Sequence, residues 1–170
     1  FDVKVAHNAE SNMKLASGVA PIPKLLSKGI CVGLGTDGCA SNNNLDLVGE
    51  LRTAALLAKG LAGDPCAVDA ATAIEMVTMN AARALGLEEN IGSIEKGKSA
   101  DLCAIDLEWP ETQPVNHVLS QVVYAASSRQ VSDVWVQGQR LLKEGHLMTL
   151  DVSEIRDRAK NWNRRMGVQI

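Results

Sequence analysis

Aromatic residues are scarce in this chain: Phe, Trp and Tyr together make up 3% of it. So few rings leave little with which to stack bases, and no run of Lys or Arg offers a stripe for phosphates. The formal charge of −3 points the same way, so no nucleic-acid partner is expected. No apolar stretch approaches the roughly 20 residues that span a bilayer, so no membrane partner is expected either. Histidine is rare as well. The 3 histidines, His7, His117 and His146, form no His-x-His pair. The 4 cysteines, Cys31, Cys39, Cys66 and Cys103, form no C-x-x-C pair, which excludes a zinc ribbon. Without a secretory leader they read as buried thiols, and a cytoplasmic location is expected.

What is present suffices for one ordinary core, since 46% of the 170 residues are hydrophobic. The chain opens at Phe1 rather than Met and runs at once into the strand-like "DVKVAH", as the C-terminal portion of a longer polypeptide would. A polar loop is expected over "NAESNMKLASG", then a short helix over "PIPKLLSKG", with prolines at its start and Gly29 past its end. Ile30–Leu34 is a near-continuous apolar run, suited to a parallel strand covered on both faces. Asn44 is the expected cap of a helix reaching about Lys59, with Gly60 as its end and Asp46 and Glu50 at its positive end. Asp69 caps a second helix running to about Leu85, closed by Gly86. After Glu89 the pattern turns to β: an alternating strand over Ala100–Asp106, then strands over "HVLSQVVYAA" and "QVSDVWVQGQRLL", with a tight turn at Gln137-Gly138. From Asp151 an amphipathic, solvent-facing helix closes the chain. These patterns make the chain an α/β protein.

The stretch "ICVGLGTDGCASNNN" holds the most specific signal. Gly33-Leu34-Gly35-Thr36-Asp37-Gly38 fits G-x-G-x-x-G, the phosphate loop of dinucleotide folds. That reading requires a helix opening at the motif and an acidic strand end about 20 residues on. Instead small and polar residues fill Cys39–Asn44, the next elements are helices, and Asp37 would set a carboxylate beside a phosphate. The alternative is a barrel strand whose C-terminal tip bears a functional carboxylate, as (β/α)₈ enzymes place their chemistry. Asp37 could then give a divalent cation such as Zn²⁺ or Fe²⁺ one oxygen ligand, or take a proton from its bound water. A plain turn aspartate remains the third possibility.

Over most of its length the chain resembles the amidohydrolase superfamily, in the branch that contains triazine hydrolases and 5-methylthioadenosine/S-adenosylhomocysteine deaminases. The resemblance lies in "AHNAESNMKLASGVAPIPKLLSKGICVGLGTDGCASNNNLDLVGELRTAALLAKG", "ATAIEMVTMNAARALGL" and "IGSIEKGKSADLCAIDL", in that order. It implies the C-terminal part of a metal-dependent (β/α)₈ barrel over 1–89, a small β-sandwich segment over 90–150, and a C-terminal helix over 151–170. It implies one divalent metal, zinc or else Fe²⁺, with Asp37 as both a ligand and the catalytic base. Ser41 matches a serine near the substrate. His7, Ser11 and Asn12 match a loop on the preceding strand, where His7 would shape or line the pocket.

The implied reaction is hydrolytic deamination of 5-methylthioadenosine, S-adenosylhomocysteine or a related adenosine, the small-molecule partner being a purine nucleoside or heterocyclic amine, with Asp37 passing a proton from water to the leaving ammonia. Guanine deamination and triazine hydrolysis or dechlorination are the alternatives within the superfamily; a truncated or interaction domain without chemistry is the alternative outside it. The cytidine-deaminase fold is excluded, because H-x-E with P-C-x-x-C is missing. Without a His-x-His pair the remaining metal ligands lie outside this sequence, so these residues alone are expected to be inactive. The rest of the barrel would come from another segment or chain, or the chain would form an oligomer to cover its free edges.

Overall fold

A computed structural model describes residues 2–167. Strand β1, Lys4–His7, pairs in parallel with β2, Cys31–Leu34, in a register that sets Ala6 beside Gly33 and His7 beside Leu34. Helices α1, Ala9–Lys14, and α2, Ile22–Ser27, carry the chain from one strand to the other. Pro21 starts α2, and Gly29 turns the chain into β2 with a left-handed φ of 73°, as the sequence leads one to expect. The polar stretch after His7 is a helix rather than the expected loop. It has no cap of its own, because the Asn8 side chain makes no capping bond.

Helix α3, Leu47–Ala62, starts later and ends later than its sequence suggests. Asp46 caps it by accepting a bond from Gly49 N at 2.9 Å, while the side chain of Asn44 accepts one from Asp46 N instead. Gly63, at φ 61°, closes it, and Gly60 lies inside. Its buried stripe is Glu50, Leu51, Ala54, Ala55 and Ala58, mostly small residues that let neighbouring elements approach closely. The helix expected from Asp69 to Leu85 is two, α4 at Ala70–Val77 and α5 at Met79–Leu85. They part at Thr78, whose hydroxyl bonds back to Ile74 O at 2.7 Å and competes with the helical ladder. Val32, Ile22 and Met76 sit at the centre of the core, each almost fully buried and contributing roughly 1.5–3 kcal/mol.

Strands β3, Leu102–Ile105, β4, Val131–Val136, β5, Gln139–Lys143, and β6, His146–Leu147, form an antiparallel sheet in that order. Gln137 and Gly138, both at positive φ, make the hairpin turn between β4 and β5. The segment "HVLSQVVYAA" is not a strand but helix α6, Val118–Tyr124. His117 Nδ1 caps its start by accepting from Ser120 N at 3.2 Å, and Arg52 of α3 donates to Val123 O and Ala126 O at its other end. Bonds from elsewhere in the chain thus override the strand preference of its valines.

Helix α7, Val152–Arg165, is capped by Asp151 and buries none of its residues. The expectation of buried thiols fails: Cys39, Cys66 and Cys103 are exposed and Cys31 is half-buried, because the first three fall in turns or on the outer face of β3. All four are free thiols. No described helix is long and apolar enough to cross a membrane.

Candidate active site

The end of β2 delivers the chain into a tight turn built around Asp37. Asp37 itself has φ 60°, in the left-handed region that aspartate enters more readily than most residues. Its side chain is exposed, and both oxygens are held: Oδ1 accepts from Gly38 N at 2.7 Å and Oδ2 accepts from Ser11 Oγ at 2.9 Å. Asn42, buried beneath the turn, donates to Thr36 O at 3.0 Å, and its own N–H closes the turn onto Gly38 O at 2.8 Å. Ser41 Oγ donates to Gly38 O at 3.2 Å. Lys14 reaches over from the end of α1 to Ala40 O at 3.3 Å.

The electrostatic outcome is a carboxylate kept ionised. The hydroxyl of Ser41, when it turns from Gly38 O toward the carboxylate, the N–H of Gly38 and the hydroxyl of Ser11 lower the Asp37 pKa, and burial opposes them. The carboxylate is exposed and has acceptor capacity beyond these bonds with which to bind a cation or receive a proton.

Of the residues singled out in the sequence, Asp37 and Ser41 share one turn. His7 ends the neighbouring strand and is only 3% exposed. Its carbonyl accepts from Gly35 N at 3.0 Å, so its backbone ties β1 to the start of the turn. Burial pushes its imidazole below the ordinary histidine value, which favours the neutral ring. His117 and His146 are exposed and distant in the fold, one capping α6 and the other bonding Glu144 O at 2.9 Å. Ser11 is the side chain that meets Asp37 directly. Nothing local in the sequence marks the pair, which joins residues 26 apart.

The glycines of the motif have a reason that involves no phosphate. A Cβ on Gly33 would come within 3.0 Å of Ala81 Cα, so β2 and α5 pack backbone to backbone there. A Cβ on Gly35 would come within 2.7 Å of Asn8 Oδ1. Residues 38–42 form a turn, and the nearest following helix begins at Leu47 with its first-turn N–H already capped by Asp46. The helix N-terminus that a dinucleotide site requires is therefore not available at the motif.

Among the described residues no three His, Cys, Asp or Glu side chains gather where they could hold a metal ion. Asp37 has the exposure, charge and hardness to supply one oxygen ligand, and these residues supply no full set.

A family model described as "Amidohydrolase family" matches residues 2–141. A 5-methylthioadenosine/S-adenosylhomocysteine deaminase of Moorella thermoacetica is 54% identical over 153 residues, covering 90% of this chain and 36% of the relative. A deaminase of the same name from Teredinibacter turnerae is 48% identical over 165 residues, covering 97% of this chain and 37% of the relative. Among solved structures, an adenosine deaminase from Xanthomonas campestris with bound zinc superposes with a TM-score of 0.95 at 48% identity, covering 98% of this chain and 38% of the other. A zinc-complexed atrazine chlorohydrolase from Arthrobacter aurescens superposes at 0.86 with 30% identity, covering 94% and 36%. The chain thus spans a little over a third of the length of these relatives.

Proposed function

The chain belongs to the amidohydrolase family, and from that premise we propose that it supplies the proton-transfer carboxylate of a hydrolytic deaminase acting on 5-methylthioadenosine, S-adenosylhomocysteine or a related adenosine. In this reading β1 and β2 are successive strands of a (β/α)₈ barrel. The stretch up to residue 89 forms its last part, 90–150 a small β-sandwich segment, and Val152–Arg165 the C-terminal helix, while residues 1 and 168–170 of the expected segments lie outside the described residues. Neither β1 nor β2 has a strand on its outer side among the described residues, which suits completion by further barrel strands from elsewhere in the polypeptide or from another copy.

The observation that carries the reading is the Asp37 carboxylate, exposed just past a strand tip and held by the Gly38 N–H and the Ser11 hydroxyl. Deamination adds the oxygen of water to the ring carbon that bears the amino group, then breaks the carbon–nitrogen bond. An ionised Asp37 accepts the proton that the attacking water must lose. Once protonated, it returns that proton to the departing nitrogen, so ammonia leaves neutral and the carboxylate is restored. The bonds from Gly38 and Ser11 aim the carboxylate, and Ser41 stands on the same turn where it can hydrogen-bond the heterocycle. His7, neutral and buried, shapes the floor of the turn. The chemistry a divalent cation would supply there is to lower the pKa of water to about 7, within reach of a carboxylate base. Asp37 would be one of its ligands. Zinc suits it, and two of the solved relatives contain that metal.

The reading is tested by ammonia release from zinc-loaded full-length protein offered 5-methylthioadenosine, S-adenosylhomocysteine, adenosine, guanine and a chlorotriazine. Preference for the first three is expected. Turnover confined to the triazine would move the chain to that other branch of the family.

A further inference from the structure

Glu50 is completely buried, although it stands in the first turn of α3, where an acidic residue has no need to leave solvent to favour the helix dipole. A buried carboxylate requires partners, and its partner is the start of another helix. Its two oxygens lie 3.1 and 3.4 Å from Glu10 N, in the first turn of α1. The residue that would normally serve there, Asn8, makes no side-chain cap. A carboxylate 40 residues further along the chain does that work instead. One turn along α3, Thr53 Oγ1 donates to Glu10 Oε1 at 2.8 Å and fastens α1 a second time. Helix α1 has only 6 residues, too few to persist without such anchors. Immediately after Glu10 comes Ser11, buried, with its hydroxyl on Asp37 Oδ2.

We propose that Glu50 is a positioning residue for the Asp37 carboxylate: it fixes the start of α1 and thereby holds the Ser11 hydroxyl on Asp37 Oδ2. Its catalytic consequence rests on the proton-transfer role given to Asp37 above; its structural part does not. Glu50 reaches from α3 to the start of α1, is shut off from solvent, and acts through Ser11 rather than on substrate. A charged acceptor makes a stronger bond to an N–H than a neutral one, which is why a carboxylate and not an amide is suited to the position.

The test uses zinc-loaded full-length protein in four forms: wild type, Glu50→Gln, Ser11→Ala and the double variant, with Leu51→Ala as a control that weakens the same helix. Hydrogen–deuterium exchange over residues 9–14, without substrate, is expected to quicken about tenfold in Glu50→Gln, as loss of about one charge-assisted bond would give. With 5-methylthioadenosine, Glu50→Gln and Ser11→Ala should each lower kcat about tenfold with KM within about twofold, and the double variant should lose no more than either alone. Leu51→Ala should lower Tm and keep kcat. Unchanged exchange in Glu50→Gln, unchanged kcat, or single losses that multiply in the double variant would each overturn the proposal. If wild type releases no ammonia from any adenosine, the functional reading fails separately, and exchange alone decides the role of Glu50: quickened sustains it, unchanged ends it.

Discussion

Ser11 Oγ lies 2.9 Å from Asp37 Oδ2, and that bond joins a short helix on one strand's exit to the turn on the next. It stabilises the ionised carboxylate and fixes its plane. The proposed chemistry depends on both, because a proton acceptor must be charged and correctly aimed when water attacks.

Asp37→Asn removes the group that takes the proton while keeping its size. Ammonia release from 5-methylthioadenosine by the full-length, zinc-loaded protein should fall by between about 10²- and 10⁴-fold. Circular dichroism should be unchanged, since Asp37 is exposed. Near-normal turnover in this variant would reject the assignment.

Gly33→Ala and Gly38→Ala separate a packing motif from a phosphate motif. The first would press a methyl against Ala81 Cα at 3.0 Å, and should cost about 1–3 kcal/mol in urea unfolding. The second meets nothing within 4 Å, and should stay within about 0.5 kcal/mol of wild type. Equal sensitivity at both sites would contradict the packing account.

The pH dependence of stability should carry two opposed slopes. Burial lowers the His7 pKa below 6.5, so the unfolded chain binds its proton more readily. The stability this group contributes is complete above about 6.5 and is lost as pH falls toward the folded value. Burial raises the Glu50 pKa above 4.5, with the bonds from Glu10 and Ala9 opposing it and the charge of Glu10 adding to it. Its contribution is complete below about 4.5 and is lost as pH rises through the raised value. In urea midpoints measured from pH 4 to 8, His7→Gln should flatten the slope just below 6.5, and Glu50→Gln the one above 4.5. A steeper profile in either variant would show the sign to be wrong.

The 170-residue chain alone should neither release ammonia nor hold zinc through Asp37. After exposure to zinc and desalting, any metal retained on its exposed thiols should be the same in Asp37→Ala. Loss of one equivalent in that variant would mean that a site assembles from these residues without outside ligands.

Much of the framework is legible because it is local. The apolar run over 31–34, the glycine turn at 137–138 and the closing helix each announce themselves within a few residues. What escaped is held from afar. Helix α1 carries no cap of its own and takes one from Glu50, which in the sequence looks like one more acidic residue near a helix start. Helix α6 has the valines of a strand, and its carbonyls are bound by Arg52 over 70 residues away. The break at Thr78 uses a hydroxyl rather than proline or glycine. In the candidate site, Asp37 stood out by its place between glycines. Its pairing with Ser11 did not, since spacing along the chain gives no hint of which hydroxyl folds back to meet it.

Helix α3 ties down α1 through Glu50 and Thr53, and both ties converge on Glu10. Such an arrangement binds the evolutionary fates of distant positions. The N–H that Glu50 takes is offered by any residue but proline, whereas Thr53 depends on the side chain at position 10, so homologous sequences should exchange positions 10 and 53 together and exclude proline at 10 wherever 50 is acidic.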